Sequence, residues 1–175
     1  AQFEIPAANL PLWSPETPVL NDVVIASGDD ELKDRVGFRT VSTSGRDILV
    51  NGKKVFLRGV SLHEENPLYG SRVWSEDDAK MLLGWAKELN CNFVRLAHYP
   101  HNEHMARLAD EMGIMVWEET PVYWTIDWTN AGTLANAQKQ LADLISRDQN
   151  RASVIVWSVA NETPISEART KFLKS

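Results

Sequence analysis

Asp148–Glu162 has the sequence DQNRASVIVWSVANE, in which a polar stretch runs into the apolar block Val154–Val159. The block is rich in β-branched residues and lacks regular polar alternation, a pattern typical of a strand buried on both faces. Asn161 and Glu162 follow at the carboxyl end of this strand, where parallel α/β architectures place ligands and catalytic groups. A carboxyl group can protonate a glycosidic oxygen and an amide can bind a nearby hydroxyl, so the pair favours sugar chemistry.

Strand-like and helix-like segments alternate through the middle of the chain. The predicted strands are Val55–Leu62, Asn92–Ala97, Ile114–Glu119 and Val154–Ala160. The predicted helices follow an N-cap at Ser75, run from near Asn102 to Gly113, and cover Thr133–Gln149 and Pro164–Leu173. Repeated βα units imply parallel strands with right-handed crossovers, but they fit a barrel and a doubly wound sheet equally well.

The first 43 residues have a different composition. Prolines interrupt short apolar pieces, and Val19–Ser27 and Val36–Ser42 are predicted to be strands joined by the acidic turn Gly28–Asp30. Two or three strands cannot bury a sandwich core by themselves, so we expect the chain to begin inside a β-sandwich domain. Asn51-Gly52 then predicts a tight hairpin turn.

The charge and composition restrict the partners. A net charge of −6 without a long basic cluster argues against nucleic acid or an anionic membrane surface as the main partner. The sequence contains no apolar run of membrane-spanning length, and Ala1–Leu10 lacks the features of a signal peptide. The parent protein could be cytoplasmic, periplasmic or secreted, since the sequence does not distinguish these compartments. Cys91 is the single cysteine, which excludes an intrachain disulfide and favours packing as a small apolar residue.

Two separated motifs are more specific than these patterns. One is NFVRLAHYP at Asn92–Pro100, followed by LADEMGIMVW at Leu108–Trp117, and the other is WSVANE at Trp157–Glu162. They resemble the signatures of glycoside hydrolase family 2, the group of β-galactosidases, β-glucuronidases and β-mannosidases. Gln149 and Leu96 depart from the basic and the small residue usual in the family, and neither is a proposed proton-transfer group. The resemblance extends over essentially the whole chain.

The resemblance implies an α/β fold in two parts. Residues 44–175 are expected to form the N-terminal half of a (β/α)8 TIM barrel, and residues 1–43 the C-terminal part of an immunoglobulin-like β-sandwich. A complete barrel needs about 250 residues, so we expect an interior fragment that ends after barrel strand four. The family's nucleophile, a Glu at the end of strand seven, would then lie beyond Ser175. The isolated polypeptide is expected to be inactive, and the parent protein to be a homo-oligomer.

The candidate site residues follow the predicted strands. Spacing alone leaves open whether Glu162 caps a helix, whereas the resemblance assigns it as the general acid/base. That role needs a raised pKa, which a neighbouring carboxylate and partial burial would supply. Asn161 is expected to bind the sugar 2-hydroxyl and Arg95 to orient carboxylates. Glu119 is expected to pair with Arg95 or line the sugar subsite, whereas Glu118 should point away because strand residues alternate.

Histidines and tryptophans complete the candidate set. His63 and His98 resemble family positions that line the sugar subsite. Trp124 and Trp128 lie in a loop past a strand end, where core packing is less expected than for the other tryptophans, and Trp124 is expected to contact substrate. His98, His101 and His104 are evenly spaced and of a type that binds zinc, but the spacing lacks the HExxH pattern, so the sequence predicts no metal and no cofactor.

The combined prediction is a retaining β-glycosidase that hydrolyses terminal β-linked sugars with two carboxylates about 5 Å apart. This chain would carry the acid/base and its carbohydrate contacts but not the nucleophile. One alternative is another clan-related TIM-barrel glycanase, which the first motif and the sandwich remnant disfavour. The other is a sugar-binding module that has lost catalysis, which the intact Asn161-Glu162 pair disfavours.

Overall fold

The computed structural model describes residues 9–175, and Pro6 among the predicted sandwich prolines lies outside them. The strands are β1 (Asn21–Ser27), β2 (Asp30–Val36), β3 (Val41–Ser44), β4 (Asp47–Val50), β5 (Lys53–Val55), β6 (Gly59–Leu62), β7 (Glu65–Asn66), β8 (Ser71–Arg72), β9 (Phe93–Leu96), β10 (Met115–Glu119) and β11 (Val154–Ser158). The helices are α1 (Glu76–Glu88), α2 (Glu103–Met112), α3 (Ala131–Asp148) and α4 (Glu167–Lys174).

A parallel sheet forms the centre of the structure, with its strands in the order β11-β10-β9-β6. Strands that follow one another through the βα units are therefore neighbours in space, as in one half of a barrel. The first strand of this sheet, β6, is shorter than the predicted strand Val55–Leu62, because Val55 belongs to β5 of the preceding hairpin. At Gly59 the backbones approach so closely that a Cβ atom would collide with the carbonyl oxygen of Phe93.

Helix α1 begins where the sequence indicates, at an N-cap: the Ser75 hydroxyl accepts a hydrogen bond from the Asp78 amide at 3.2 Å. Asn102 caps α2 in the same way, and Gly113 ends it in the left-handed conformation with φ 66°. These residues satisfy backbone groups that a helix end leaves free. No helix among residues 9–175 combines the length and the apolarity needed to cross a membrane.

The fourth helix begins later than Pro164, so the predicted start is wrong. Ser166 is its N-cap, and the Ser166 hydroxyl accepts a hydrogen bond from the Arg169 amide at 3.0 Å. A serine side chain satisfies that free amide, whereas proline has no polar side chain to do so. Pro164 lies in the loop that leads from β11 to α4.

The segment before the barrel folds differently from the prediction. The partner of β1 is the charged strand β2 rather than Val36–Ser42, and their register runs from Asn21↔Val36 to Ser27↔Asp30. The tight turn at Gly28, with φ 61°, fixes this pairing, and a ribbon largely exposed to solvent tolerates charged residues. Strand β3 pairs with β4 instead.

The β4–β5 hairpin turns at Asn51 and Gly52, both with positive φ (52° and 72°), which confirms the predicted turn. The predicted domain boundary between residues 43 and 44 falls within β3. Assignment of residues 1–43 to an immunoglobulin-like sandwich stays a prediction.

Two apolar clusters stabilise the structure. The larger lies between the barrel strands and helices α1 and α2, and includes Leu83, Val94, Met105 and Val116. The smaller lies at the amino ends of the strands, where Trp13 packs with Val50, Met115 and Ala152. The Trp13 indole donates a hydrogen bond to the carbonyl oxygen of Asp110 at 2.8 Å. The segment before the barrel thus closes the amino-terminal end of the half-barrel.

A buried carboxyl pair lies between β10 and α3. Glu118 is 2% exposed, and Arg147 Nη2 lies 3.9 Å from Glu118 Oε1 and 2.5 Å from Asp148 Oδ2. Burial, followed by the negative charge of Asp148, raises the pKa of Glu118 to about 9, against the opposing charge of Arg147. Glu118 is therefore protonated at neutral pH.

We expect Gly113→Ala to destabilise the protein by about 2 kcal/mol or more, because alanine disfavours positive φ and its Cβ would collide with the Pro15 carbonyl. Urea unfolding measures the change. The matched control is Gly84→Ala in the interior of α1, where nothing lies within 4 Å of an added Cβ; a gain of about 0.5–1 kcal/mol is expected there. Equal stability of the two variants would contradict the packing of Pro15 against Gly113.

Glu118→Gln is expected to change the pH dependence of stability. At pH values between the ordinary pKa of glutamate and the raised pKa of about 9, Glu118 is protonated in the folded state and ionised in the unfolded state. The free energy of unfolding of the wild type therefore falls as the pH rises through this range. Glutamine does not ionise, so the variant lacks this decrease. Its stability relative to the wild type should therefore be higher at pH 8 than at pH 5. Urea unfolding at both pH values tests this, with the exposed Glu88→Gln as control. A difference that is the same at both pH values would contradict a protonated Glu118.

Candidate active site

The carboxyl ends of the parallel strands bring together five of the predicted residues. Arg95 lies on β9 and His98 just after it, Glu119 ends β10, and Asn161 and Glu162 follow β11. These residues are distant in sequence but meet at one end of the sheet because the strands are parallel and neighbouring. His63, which follows β6, lies beside them and is exposed.

An ion pair between Arg95 and Glu119 forms the centre of the site. Arg95 Nε and Nη2 donate to Glu119 Oε1 and Oε2, both at 2.7 Å, in a bidentate arrangement. Arg95 Nη2 also donates to Asn161 Oδ1 at 2.7 Å. One guanidinium therefore connects the ends of three neighbouring strands. The expected orienting partnership of Arg95 and Glu119 is present in the structure.

Two further donors complete the environment of Glu119, which is 1% exposed. His98 Nδ1 lies 3.0 Å from Oε1, and the Ser158 hydroxyl donates to Oε2 at 3.0 Å. Burial by itself raises the pKa of Glu119, but the hydrogen bonds from Arg95, His98 and Ser158 outweigh burial and lower the pKa below its usual value. Glu119 is ionised, whereas Glu118, on the opposite face of the same strand, is protonated; the expected alternation is confirmed.

The Asn161-Glu162 pair is fixed by the loop after β10. Asn161 N donates to the Val122 carbonyl at 2.8 Å, and Trp124 N donates to the Asn161 carbonyl at 3.2 Å. Trp124 Nε1 donates to Glu162 Oε2 at 3.1 Å. The neighbouring α-carbons of Asn161 and Glu162 are about 3.8 Å apart, so Glu162 lies next to the Arg95 cluster.

The Glu162 side chain is exposed in this chain, and its partial burial in the parent protein stays a prediction. Glu162 directly follows Asn161, which forms a backbone bridge with Tyr123 between the loops after β11 and β10. Glu162 has φ 47°. Trp124 covers one side of the Glu162 carboxylate, and the sequence did not indicate this contact.

Aromatic rings surround the strand ends in a continuous row, which we call the aromatic rim: His63, His98, Tyr123 and Trp124. Ring centroids are 5.4 Å apart for His63 and His98, 6.3 Å for His98 and Tyr123, and 5.5 Å for Tyr123 and Trp124. Rims of this kind suit sugar rings, whose C–H faces pack on aromatic faces. Sequence analysis missed Tyr123, although its position beside Trp124 in a post-strand loop was an available signal.

Several residues singled out in the sequence lie outside this cluster. Trp128 packs edge-on against Phe172 of α4, with ring centroids 5.1 Å apart, so it packs the loop before α3 against α4. His101 is buried, and its Nε2 contacts the Ala97 carbonyl at 2.9 Å. Within residues 9–175, no group of three or more His, Cys, Asp or Glu side chains is placed to hold a metal ion.

Ser158 is the other contributor that sequence analysis missed. It lies within the predicted apolar strand Val154–Ala160, and a single hydroxyl near the end of a buried strand must find a hydrogen-bond partner. That partner is Glu119.

Comparisons with known proteins identify the family. Residues 41–174 match the model of the family described as glycosyl hydrolases family 2, TIM barrel domain. A β-galactosidase of Arthrobacter sp. (strain B7) is 36% identical over 160 residues, which cover 86% of this chain and 16% of the relative. A β-glucuronidase of Paenibacillus borealis is 34% identical over 173 residues, which cover 88% of this chain and 28% of the relative.

Solved structures are similar to this chain in fold and in sequence. The family 2 β-galacturonidase from Eisenbergiella tayi bound to galacturonate superposes with a TM-score of 0.91 at 31% identity, over 99% of this chain and 32% of that one. A β-glucuronidase from Ruminococcus gnavus, in complex with D-glucaro-d-lactam, has a TM-score of 0.86 at 32% identity, over 95% and 30% of the two chains. The chain thus spans less than a third of these relatives. It carries part of a TIM-barrel fold and belongs to glycoside hydrolase family 2.

Proposed function

We propose that this chain supplies one half of the active site of a retaining β-glycosidase that hydrolyses terminal β-linked sugars. The observation that carries the proposal is the position of Asn161-Glu162 beside the Arg95–Glu119 ion pair at the carboxyl ends of the strands. Glu162 is the acid/base. The nucleophilic carboxylate belongs to the part of the parent protein beyond Ser175. The substrate class agrees with relatives named as β-galactosidases, β-glucuronidases and a β-galacturonidase.

In the first step Glu162 gives its proton to the glycosidic oxygen. The bond from C1 to that oxygen breaks, the nucleophile forms an ester bond to C1, and the leaving group departs as an alcohol. In the second step the ionised Glu162 takes a proton from water, and the water oxygen attacks C1. The ester bond breaks, the nucleophile regains its negative charge, and Glu162 regains its proton.

Asn161 is proposed to bind the sugar 2-hydroxyl. Its Oδ1 is held by Arg95, so its amide nitrogen remains the group that donates to substrate. Because Arg95 is itself fixed by Glu119, the amide is oriented before the sugar arrives. A contact of this kind strengthens as charge develops at C1 and so lowers the barrier.

Glu119 is proposed to anchor the site rather than to react. Each of its oxygens contacts two donor groups: Arg95 and His98 at Oε1, and Arg95 and Ser158 at Oε2. A carboxylate offers about four acceptor positions, so Glu119 is fully occupied. A nucleophile needs a free oxygen, which Glu119 lacks. His63 and His98 remain proposed walls of the sugar subsite, and homo-oligomerisation of the parent stays a prediction.

In the full-length parent protein, Glu162→Gln should slow hydrolysis of glycosides with poor leaving groups by about 10²–10⁴-fold, because the amide cannot donate the proton. Activated aryl glycosides need little protonation and should be slowed far less. Steady-state kinetics on both substrate types measures the difference, with the exposed Glu167→Gln of α4 as control. An equal loss on both substrate types would remove Glu162 from the acid/base role.

The 175-residue polypeptide itself should be inactive, because Glu162 alone cannot form the glycosyl-enzyme ester. It should also self-associate, since within residues 9–175 β6 and β11 each pair along one edge only. The test assays purified 175-residue protein against a panel of aryl β-glycosides, beside a protein extended through strand eight. Comparable turnover by the two would contradict the missing-nucleophile proposal; Glu65 would then be the first candidate for the displacement, and Glu119 a candidate only if it were released from its four donor contacts.

A further inference from the structure

We infer that Trp124 is the leaving-group platform of this site: it orients the Glu162 carboxylate and offers its indole face to a ring attached to the glycosidic oxygen. The inference rests on the proposed function and adds the class of leaving group that the site prefers. That class consists of glycosides whose leaving group is itself a ring, either a second sugar or an aryl group.

The first observation is exposure. Trp124 is 62% exposed, although a tryptophan side chain gains more from burial than almost any other. Its indole nitrogen is nevertheless bonded, donating to Glu162 Oε2 at 3.1 Å. The ring is therefore fixed at its polar edge, beside the proposed acid/base, and among residues 9–175 no other residue covers most of its surface.

The second observation is the backbone conformation. Trp124 has φ 55°, in the left-handed region that bulky residues rarely adopt. The conformation is held from two sides, by the hydrogen bond from its amide to the Asn161 carbonyl at 3.2 Å and by the edge-on contact of its ring with Tyr123 at 88°. Unfavourable backbone conformations of this kind concentrate at functional sites, where the surrounding structure maintains them.

The third observation is the position of the ring relative to the scissile bond. To transfer its proton, Glu162 must come within about 2.6–3.2 Å of the glycosidic oxygen. Trp124 occupies Oε2, which leaves Oε1 for that proton. The sugar that is cleaved lies on the side of Asn161, whose amide is oriented by Arg95. The group on the other side of the glycosidic oxygen is then next to the indole.

These positions give the two edges of the aromatic rim different roles. His63 and His98 lie on the side of the Arg95–Glu119 ion pair and face the cleaved sugar. Trp124 lies at the opposite end of the rim, beside the acid/base, and faces the departing ring. Stacking on an exposed indole favours any flat or C–H-rich ring without fixing its hydroxyl pattern, so the preference is for a ring and not for one particular sugar.

The test uses the full-length parent protein and two substrates with the same sugar and with leaving groups of matched acidity. One is a phenyl β-glycoside, and the other carries a branched polyfluoroalkyl group without a ring. Trp124→Ala should lower kcat/KM for the phenyl substrate by about ten-fold more than for the polyfluoroalkyl substrate. Trp124→Phe keeps a ring but loses the indole donor, so it should slow both substrates by a similar factor and retain the preference for phenyl.

The control is Trp85→Phe on α1, which should change neither kinetic value. Equal losses on both substrates in Trp124→Ala would overturn the leaving-group role, while the response of Glu162→Gln to leaving-group acidity would still support the proposed function. If the unaltered parent hydrolyses no β-glycoside, both proposals are overturned. Retention of the phenyl preference in Trp124→Ala would likewise overturn the platform, because no ring would remain at that position.

Discussion

The ion pair between Arg95 and Glu119 is the interaction on which the rest of the site depends. A carboxylate as buried as Glu119 is stable only when donors surround it, and those donors come from two segments: Arg95 and His98 from β9 and the loop after it, and Ser158 from β11. Meeting this requirement fixes the relative positions of the strand ends. The same guanidinium then holds Asn161, and through the backbone Glu162.

The two ends of the half-barrel use buried charge differently. At the amino ends, Asp110 accepts a hydrogen bond from the Ser153 amide at 2.7 Å, and Arg151 lies between Asp110 and Asp34 of the β1–β2 ribbon. Burial raises the pKa of Asp110 to about 6 despite these partners. These contacts hold the segment before the barrel against its base. At the carboxyl ends, the buried charges orient groups that remain free to meet a substrate.

Glu118 and Glu119 show how position alone separates two identical side chains. They are consecutive on β10, so they face opposite sides of the strand. Glu119 faces a set of donors and is ionised, whereas Glu118 faces Asp148 and is protonated. Opposite ionisation of adjacent carboxyls keeps the negative charge on the side of the barrel where the sugar is proposed to bind.

The sequence by itself determined the order of the four parallel strands and the four helices from residue 59 onward, the caps at Ser75, Asn102 and Gly113, and the strand ends that carry the polar residues, but not the short β7–β8 hairpin. These features follow from local patterns, which depend on residues close in the chain. It misassigned the partner of β1 and the start of α4, since strand pairing and helix starts also depend on turn geometry and on capping contacts.

Only the tertiary structure decided which polar groups meet: the contact of Ser158 with Glu119 and the bond from Trp124 to Glu162. Each joins residues 38 or 39 positions apart on neighbouring loops or strands. Their distances are set by the packing of parallel strands, for which a single sequence carries no local signal.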